Sequence, residues 1–190
     1  MSGLAEILAA IGEETARLGL RWYVFGAQAV AAHGVPRATQ DVDVTVMADV
    51  PAARRLLEQL QERGIVHRFP EIAEELLARS QVAPLVHSVT GFEVDLVLGG
   101  TELEDVAADR AESLVIAGVR VPVSAATDLA ISKMIAGRPL DHQDVRSLLA
   151  SGRVDVAGVG ETLRAIERAI GEDGFVAAFD HLVQTTPRRR

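Results

Sequence analysis

The chain has no cysteine among its 190 residues, which excludes disulfides and thiolate metal sites. Aromatic side chains are scarce at 4%, with one Trp and one Tyr, too few for an extended base-stacking platform. No apolar run is long enough to span a bilayer, and no basic-then-apolar leader follows Met1. We therefore expect a cytoplasmic protein with no membrane partner. Positive charge is in deficit: 19 Lys and Arg face 27 Asp and Glu, a formal net charge of −8. Strong non-specific binding to nucleic acid is not expected from that balance, although it leaves room for a local basic groove. The terminal Pro-Arg-Arg-Arg reads as a solvated end.

The composition that remains is that of a globular protein. The hydrophobic fraction is 48%, well above the disordered range, and 190 residues make one domain, or one domain with a small appendage. Apolar residues at helical spacing predict a helix over 3–19. Trp22 to Phe25 reads as a strand, 27–33 as a short helix ended by Gly34-Val35-Pro36, and 41–47 as a second strand. Pro51 opens a helix that runs to about 63 with Gly64 past its end. A helix over 71–79 follows, then strands over 82–89 and 92–98 joined by Thr90-Gly91. Residues 102–110 read as helix and 114–123 as a small hairpin broken at Gly118. Beyond Ser124 everything is helical: 125–136, 141–150, 157–170 and 173–184. The expected fold is α/β (α+β): a small mixed sheet flanked by helices over 1–123, with a helical part over 124–190 packed on it.

The second strand carries the chemical anomaly. In Asp-Val-Asp-Val-Thr-Val, Asp41 and Asp43 share one face and Val42, Val44 and Val46 the other, because successive side chains point to opposite faces. The valines face the core, so the acids lie on the open face or at the strand end. Like charges that close repel, and each raises the other's pKa unless a cation compensates. Taken alone, the pattern fits an edge strand whose acids discourage aggregation better than it fits a site. A third acid changes the balance. Phe-Glu-Val-Asp-Leu-Val-Leu places Glu93 and Asp95 on one face of a later strand. If that strand neighbours the first, Asp41, Asp43 and Asp95 form one cluster, and three such carboxylates can hold two metal ions about 4 Å apart. Mg²⁺ or Mn²⁺ fits such hard oxygen donors. Glu93, nearer the turn, reads as an exposed charge. Gly26, between strand and helix, lets a ligand approach backbone N–H groups, and triphosphate is the anion that pairs with Mg²⁺; an ordinary tight turn is the plainer reading.

A glycine turn after the first strand, a short helix, an Asp-x-Asp strand and a later single Asp together resemble the nucleotidyltransferase superfamily of the polymerase-β-like fold. The closer resemblance is to small bacterial nucleotidyltransferases of the AbiEii and MenT toxin type. It rests on residues 25–44, on Glu93–Val97 and on 121–145. It implies a metal-dependent enzyme that moves a nucleoside monophosphate from an NTP to an acceptor hydroxyl. The acceptor would be a tRNA end, a protein side chain or a small molecule, and a cognate antitoxin is an implied partner. Carried over by position, Asp41, Asp43 and Asp95 are the metal ligands and catalytic carboxylates. Gly26 and Ala27 stand where the superfamily has a Gly-Gly or Gly-Ser pair on the triphosphate, and Lys133 resembles the phosphate-binding lysine. Arg37 and Arg138 are further candidates for phosphate. Ala27 departs from the pattern, since it offers a backbone N–H and no hydroxyl. A degenerate nucleotide-binding or interaction module is the alternative.

The other polar residues of the helical third also have structural readings. Ser124 suits the N-cap of its helix with Asp128 in the first turn. Lys133 on an apolar helix reads equally as a snorkelling lysine. Asp141 and Asp144 read as N-cap and N3 acids of the next helix, with a tie to Lys133 or Arg138. The histidines, at 33, 67, 87, 142 and 181, show no metal-ligand spacing.

Overall fold

Period-two alternation builds the centre of the sheet. In the computed structural model, which describes residues 3–35, 39 and 41–187, β1 is Trp22–Phe25, β2 Asp41–Met47, β3 Ile65–His67, β4 Val82–His87, β5 Glu93–Gly99, β6 Glu112–Ile116 and β7 Val119–Val123. They form one mixed seven-stranded sheet in the order β3-β4-β5-β2-β1-β7-β6. Strands β2 and β5 run parallel, as do β1 and β7, and the other neighbours are antiparallel. The alternate residues Val42, Val44 and Val46 of β2 and Val94, Leu96 and Leu98 of β5 are buried. That shared apolar face sets the register, because a slip by one residue would turn valines outward and carboxylates inward.

The helices that accompany the sheet are α1 (Gly3–Leu18), α2 (Gly26–Ala32), α3 (Val50–Glu62), the short α4 (Ala73–Glu75) and α5 (Glu102–Asp109). α1 buries Ile7, Leu8 and Ile11 at helical spacing. The side chain of Asp49 caps α3 by accepting from Ala52 N–H at 2.8 Å. Thr101 and Glu104 form a capping box at α5. Four helices follow: α6 (Ala126–Ala136), α7 (Pro139–Ser151), α8 (Val156–Ile170) and α9 (Phe175–Thr185). Leu129, Met134, Leu148, Leu163 and Phe179 are their buried side chains of largest size and deepest burial.

The chain divides into two compact units. One comprises Met1–Ala32 and Arg37–Ser124, the other His33–Pro36 and Ala125–Arg190. The first contains the sheet and the second the four helices. Within the second, His33 Nδ1 lies 3.4 Å from the Arg153 guanidinium, which ties His33 to the helices.

Several elements differ in detail from the sequence reading. β3 has no counterpart there, because three residues after Gly64 show too little alternation to register as a strand. The helix expected over 71–79 is a 3₁₀ turn, α4 and a π-turn over Leu76–Ser80. α6 has Ala125 and not Ser124 at its N-cap, without a side-chain cap, since Ser124 N–H is drawn to Val24 carbonyl at 2.9 Å as an extension of the sheet. α7 starts at Pro139, two residues early, because a proline at the first position of a helix has no N–H to satisfy.

Candidate functional site

The register of β2 and β5 assembles the acidic residues. Asp41 pairs with Glu93 and Asp43 with Asp95 across the parallel strands, so all four side chains share the face opposite the valines. Asp41, Asp43 and Asp95 are partly buried and Glu93 is exposed. The hydroxyl of Thr39 donates to the Asp41 carboxylate. Phe25 of β1 is the partner of Asp43 on the other side, which brings Gly26 against the acid. Gly26 has φ +66°, and a Cβ there would lie 1.8 Å from Asp43 Oδ2 and 2.6 Å from its Cγ. No side chain fits at that position unless Asp43 moves. Ala27, next in α2, is buried.

One residue absent from the sequence reading is central. Arg68 follows β3, and its guanidinium spans Glu93 and Asp95: Nη1 donates to Glu93 Oε2 at 2.5 Å and Nη2 donates to Asp95 Oδ1. Its backbone N–H donates to Pro84 carbonyl at 2.9 Å, which fixes the root of the side chain on β4. Burial pushes the Asp95 carboxyl up; Arg68 opposes this, the charges of Asp41 and Glu93 add to it, and the result is a pKa above the ordinary value. The signal in the sequence is slight: a lone arginine in His67-Arg68-Phe69, one step past a strand too short to recognise. Glu93 is exposed as expected, but it is also paired.

Hard carboxylate oxygens are the donors Mg²⁺ or Mn²⁺ requires, so the chemistry of the donors on this face fits such an ion. Among the described residues no three His, Cys, Asp or Glu side chains stand gathered as a ready-made metal site. The Asp95 oxygen is engaged by Arg68 and the Asp41 oxygen by Thr39. Arg37, the loop candidate, lies outside the described residues. His67 and His87 belong to the sheet unit but not to the acid face. His87 Nδ1 is 2.8 Å from Thr90 Oγ1, and burial lowers the pKa of His67.

In the helical unit Lys133 is buried, 6% exposed, and does not snorkel. It is the chain's one lysine against 18 arginines. Its Nζ lies 3.2 Å from Asp141 Oδ1 and 2.7 Å from Asp144 Oδ2, both on α7, which takes two of the three donors of the ammonium. Arg138 Nε donates to Asp141 Oδ2 at 2.6 Å while its side chain stays 74% exposed. Burial alone would raise the Asp141 carboxyl; hydrogen bonds from Arg138 and Lys133 and their charges outweigh it, and the pKa falls below the ordinary value. Asp141 sits at the third position of α7, where its carboxylate also accepts from Arg138 N–H at 3.3 Å. It is therefore not the N-cap, and Asp144 lies one turn deeper.

A glycine turn packed on an Asp-x-Asp strand, with a third aspartate in register on the neighbouring strand, is the arrangement on which the resemblance to nucleotidyltransferases rests. Residues 3–179 match the family described as nucleotidyltransferase of unknown function (DUF6036), and the chain belongs to that family. No curated protein sequence matches it. Solved structures of one enzyme share the fold. The crystal structure of ANT(2″)-Ia in complex with adenylyl-2″-tobramycin superposes with TM-score 0.56 at 15% identity, covering 90% of this chain and 99% of that one. The solution structure of the same antibiotic-resistance factor gives 0.50 at 18%, covering 94% and 95%. Lincosamide adenylyltransferase LnuA, lincomycin-bound, gives 0.44 at 13%, covering 75% and 94%.

Gly26→Ala should destabilise the protein by about 1–3 kcal/mol through backbone strain alone. Gly118→Ala is the control, with φ +84° and open space around its Cβ. Denaturant unfolding should show the larger loss at Gly26, because only there must an aspartate be displaced; equal losses would mean that Asp43 gives way freely. In the helical unit, a carboxyl whose pKa is lowered by folding stabilises fully above its ordinary range and loses that contribution as pH falls through the lowered value. Asp141→Asn should therefore cost about 3 kcal/mol at neutral pH, the low end for a broken buried pair because Asp144 still holds Lys133. The gap to the parent should narrow in acid, and a gap independent of pH would assign the loss to packing.

Proposed function

We propose that the protein transfers a nucleoside monophosphate from an NTP to an acceptor hydroxyl and releases pyrophosphate, with Mg²⁺ or Mn²⁺ as cofactor. The observation that carries this reading is the alignment of Asp43 with Asp95 beside Asp41 on two parallel strands, with Gly26 against Asp43. Asp41, Asp43 and Asp95 would hold the divalent cation, which when bound supplies Lewis acidity to the α-phosphate and screens the charge of the leaving pyrophosphate. Asp95, in register with Asp43, is also the proposed proton acceptor. It takes the proton of the acceptor hydroxyl as that oxygen bonds to the α-phosphorus and the bond to the bridging oxygen of pyrophosphate breaks. Gly26 and Ala27, at the start of α2, would offer backbone N–H groups to the triphosphate. Lys133, Arg138 and Arg37 are the proposed phosphate cations. Lys133 would do this with the one ammonium donor that Asp141 and Asp144 leave over.

The acceptor is a hydroxyl on a small molecule, a tRNA end or a protein. ANT(2″)-Ia, whose fold this chain shares, is known with adenylyl-2″-tobramycin, and a small polyhydroxylated acceptor is accordingly one of the pools to test. The resemblance to AbiEii- and MenT-type enzymes keeps a toxin with its cognate antitoxin as the finer version of the same chemistry. A second reading, a nucleotide-binding module without turnover, is favoured by Ala27, where a hydroxyl is missing. That loss is one hydrogen bond, worth about 0.5–1.5 kcal/mol, or about tenfold at most in rate. It is small beside the contribution of the acidic site.

Labelled nucleotide from each of the four NTPs should enter RNA, protein or a small-molecule pool in the presence of Mg²⁺ or Mn²⁺, with Asp41→Ala as the blank. Ala27→Ser should leave the rate unchanged or raise it by no more than about tenfold. Nucleotide with Mn²⁺ should raise the melting temperature of the parent but not of Asp43→Asn, through binding to the native state alone. Binding without incorporation into any pool would replace the enzyme by the module.

A further inference from the structure

The acid face carries an internal cation whose placement has a consequence for loading. Four carboxylates stand in register on β2 and β5, and such a cluster is unfavourable unless compensated. Glu93 and Asp95 are two apart on β5, and the guanidinium of Arg68 spans them with its two terminal nitrogens. An arginine fork can bridge two carboxylates at once, which a compact ammonium does less well. The grip is incomplete, however. Arg68 Nε is buried and has no hydrogen-bond partner, so one donor of the fork is unsatisfied. The side chain retains 20% of its exposure to solvent, and its root is anchored by the backbone bond to Pro84. It is thus held at one end, seated on two acids at the other, and partly open to solvent.

We propose that Arg68 is a built-in counter-ion of the candidate site, one that occupies Asp95 in the cation-free protein and is displaced from it when a divalent cation binds. This rests on the reading of Asp41, Asp43 and Asp95 as the cation ligands. Guanidinium and metal ion compete for the same Asp95 carboxylate, so the observed affinity for the metal is the intrinsic affinity reduced by the fraction of molecules in which Arg68 has let go. Arg68 thereby acts as a positioning residue. It keeps the acid face from repelling itself and sets the concentration at which the cation enters.

Mn²⁺ alone, without nucleotide, is the probe, titrated by calorimetry and by the loss of the free-ion electron paramagnetic resonance signal. Arg68→Gln should fold, as judged by circular dichroism, with a lower melting temperature in chelator. It should bind Mn²⁺ at least about tenfold more tightly than the parent, the size of one charge-assisted hydrogen bond that no longer has to be broken. Arg68→Lys, which keeps the charge but loses the fork, should fall between the two and serves if Arg68→Gln does not fold. Asp43→Asn should weaken binding in either background. Equal or weaker Mn²⁺ affinity in both Arg68 variants, with Asp43→Asn still effective, overturns the counter-ion and leaves the site reading standing. Mn²⁺ binding that ignores Asp43→Asn overturns the site reading, and the counter-ion with it.

Discussion

The register between β2 and β5 is the constraint from which the rest of the acidic site follows. Two parallel strands with identical alternation, apolar on one side and acidic on the other, are held in their pairing against a one-residue slip, which would bury charge. That pairing sets Asp43 beside Asp95 and Asp41 beside Glu93. The hydrophobic face therefore does more than stabilise the sheet. It holds four like charges at strand spacing, a position they would not take by themselves. Burial of Val42, Val44, Val46, Val94, Leu96 and Leu98, each worth roughly 1.5–3 kcal/mol when fully removed from water, outweighs the repulsion among partly hydrated carboxylates.

The surroundings of the cluster are shaped by the same need. Gly26 has no side chain because Asp43 occupies the space where a Cβ would be. Arg68 comes from the far edge of the sheet, across β4, to sit on Glu93 and Asp95. Thr39 donates to Asp41. These are three different answers to one electrostatic problem: withdraw a side chain, supply a cation, supply a hydrogen-bond donor. The helical unit treats charge in another way. Lys133 meets Asp141 and Asp144, and Arg138 also pairs with Asp141, so two positive side chains face two carboxylates.

Much of this was legible in the sequence because it depends on local periodicity. Asp-Val-Asp-Val-Thr-Val and Glu-Val-Asp-Leu-Val-Leu announce their two faces, and the conditional step, that the strands adjoin, is met by the sheet order. The helices of the last third follow from their apolar spacing. What was not legible depends on distance in the chain or on backbone demands that leave little trace. β3 is three residues long and has no pattern. Arg68 acquires its role only because β3 pairs with β4 and β4 with β5, and nothing in a single arginine reports that. Ser124 has the chemistry of a cap, but a sheet hydrogen bond claims its backbone first.

The burial of Lys133 has a practical corollary for handling the protein. It is the one lysine in the sequence, so the folded chain displays no ε-amine at all, while arginines are spread over its surface. A protease that cuts only after lysine has a single target, shut inside an ion pair between α6 and α7. Its cleavage would clock the opening of that helix pair and nothing else. Amine-reactive labels would likewise spare every side chain until the same event.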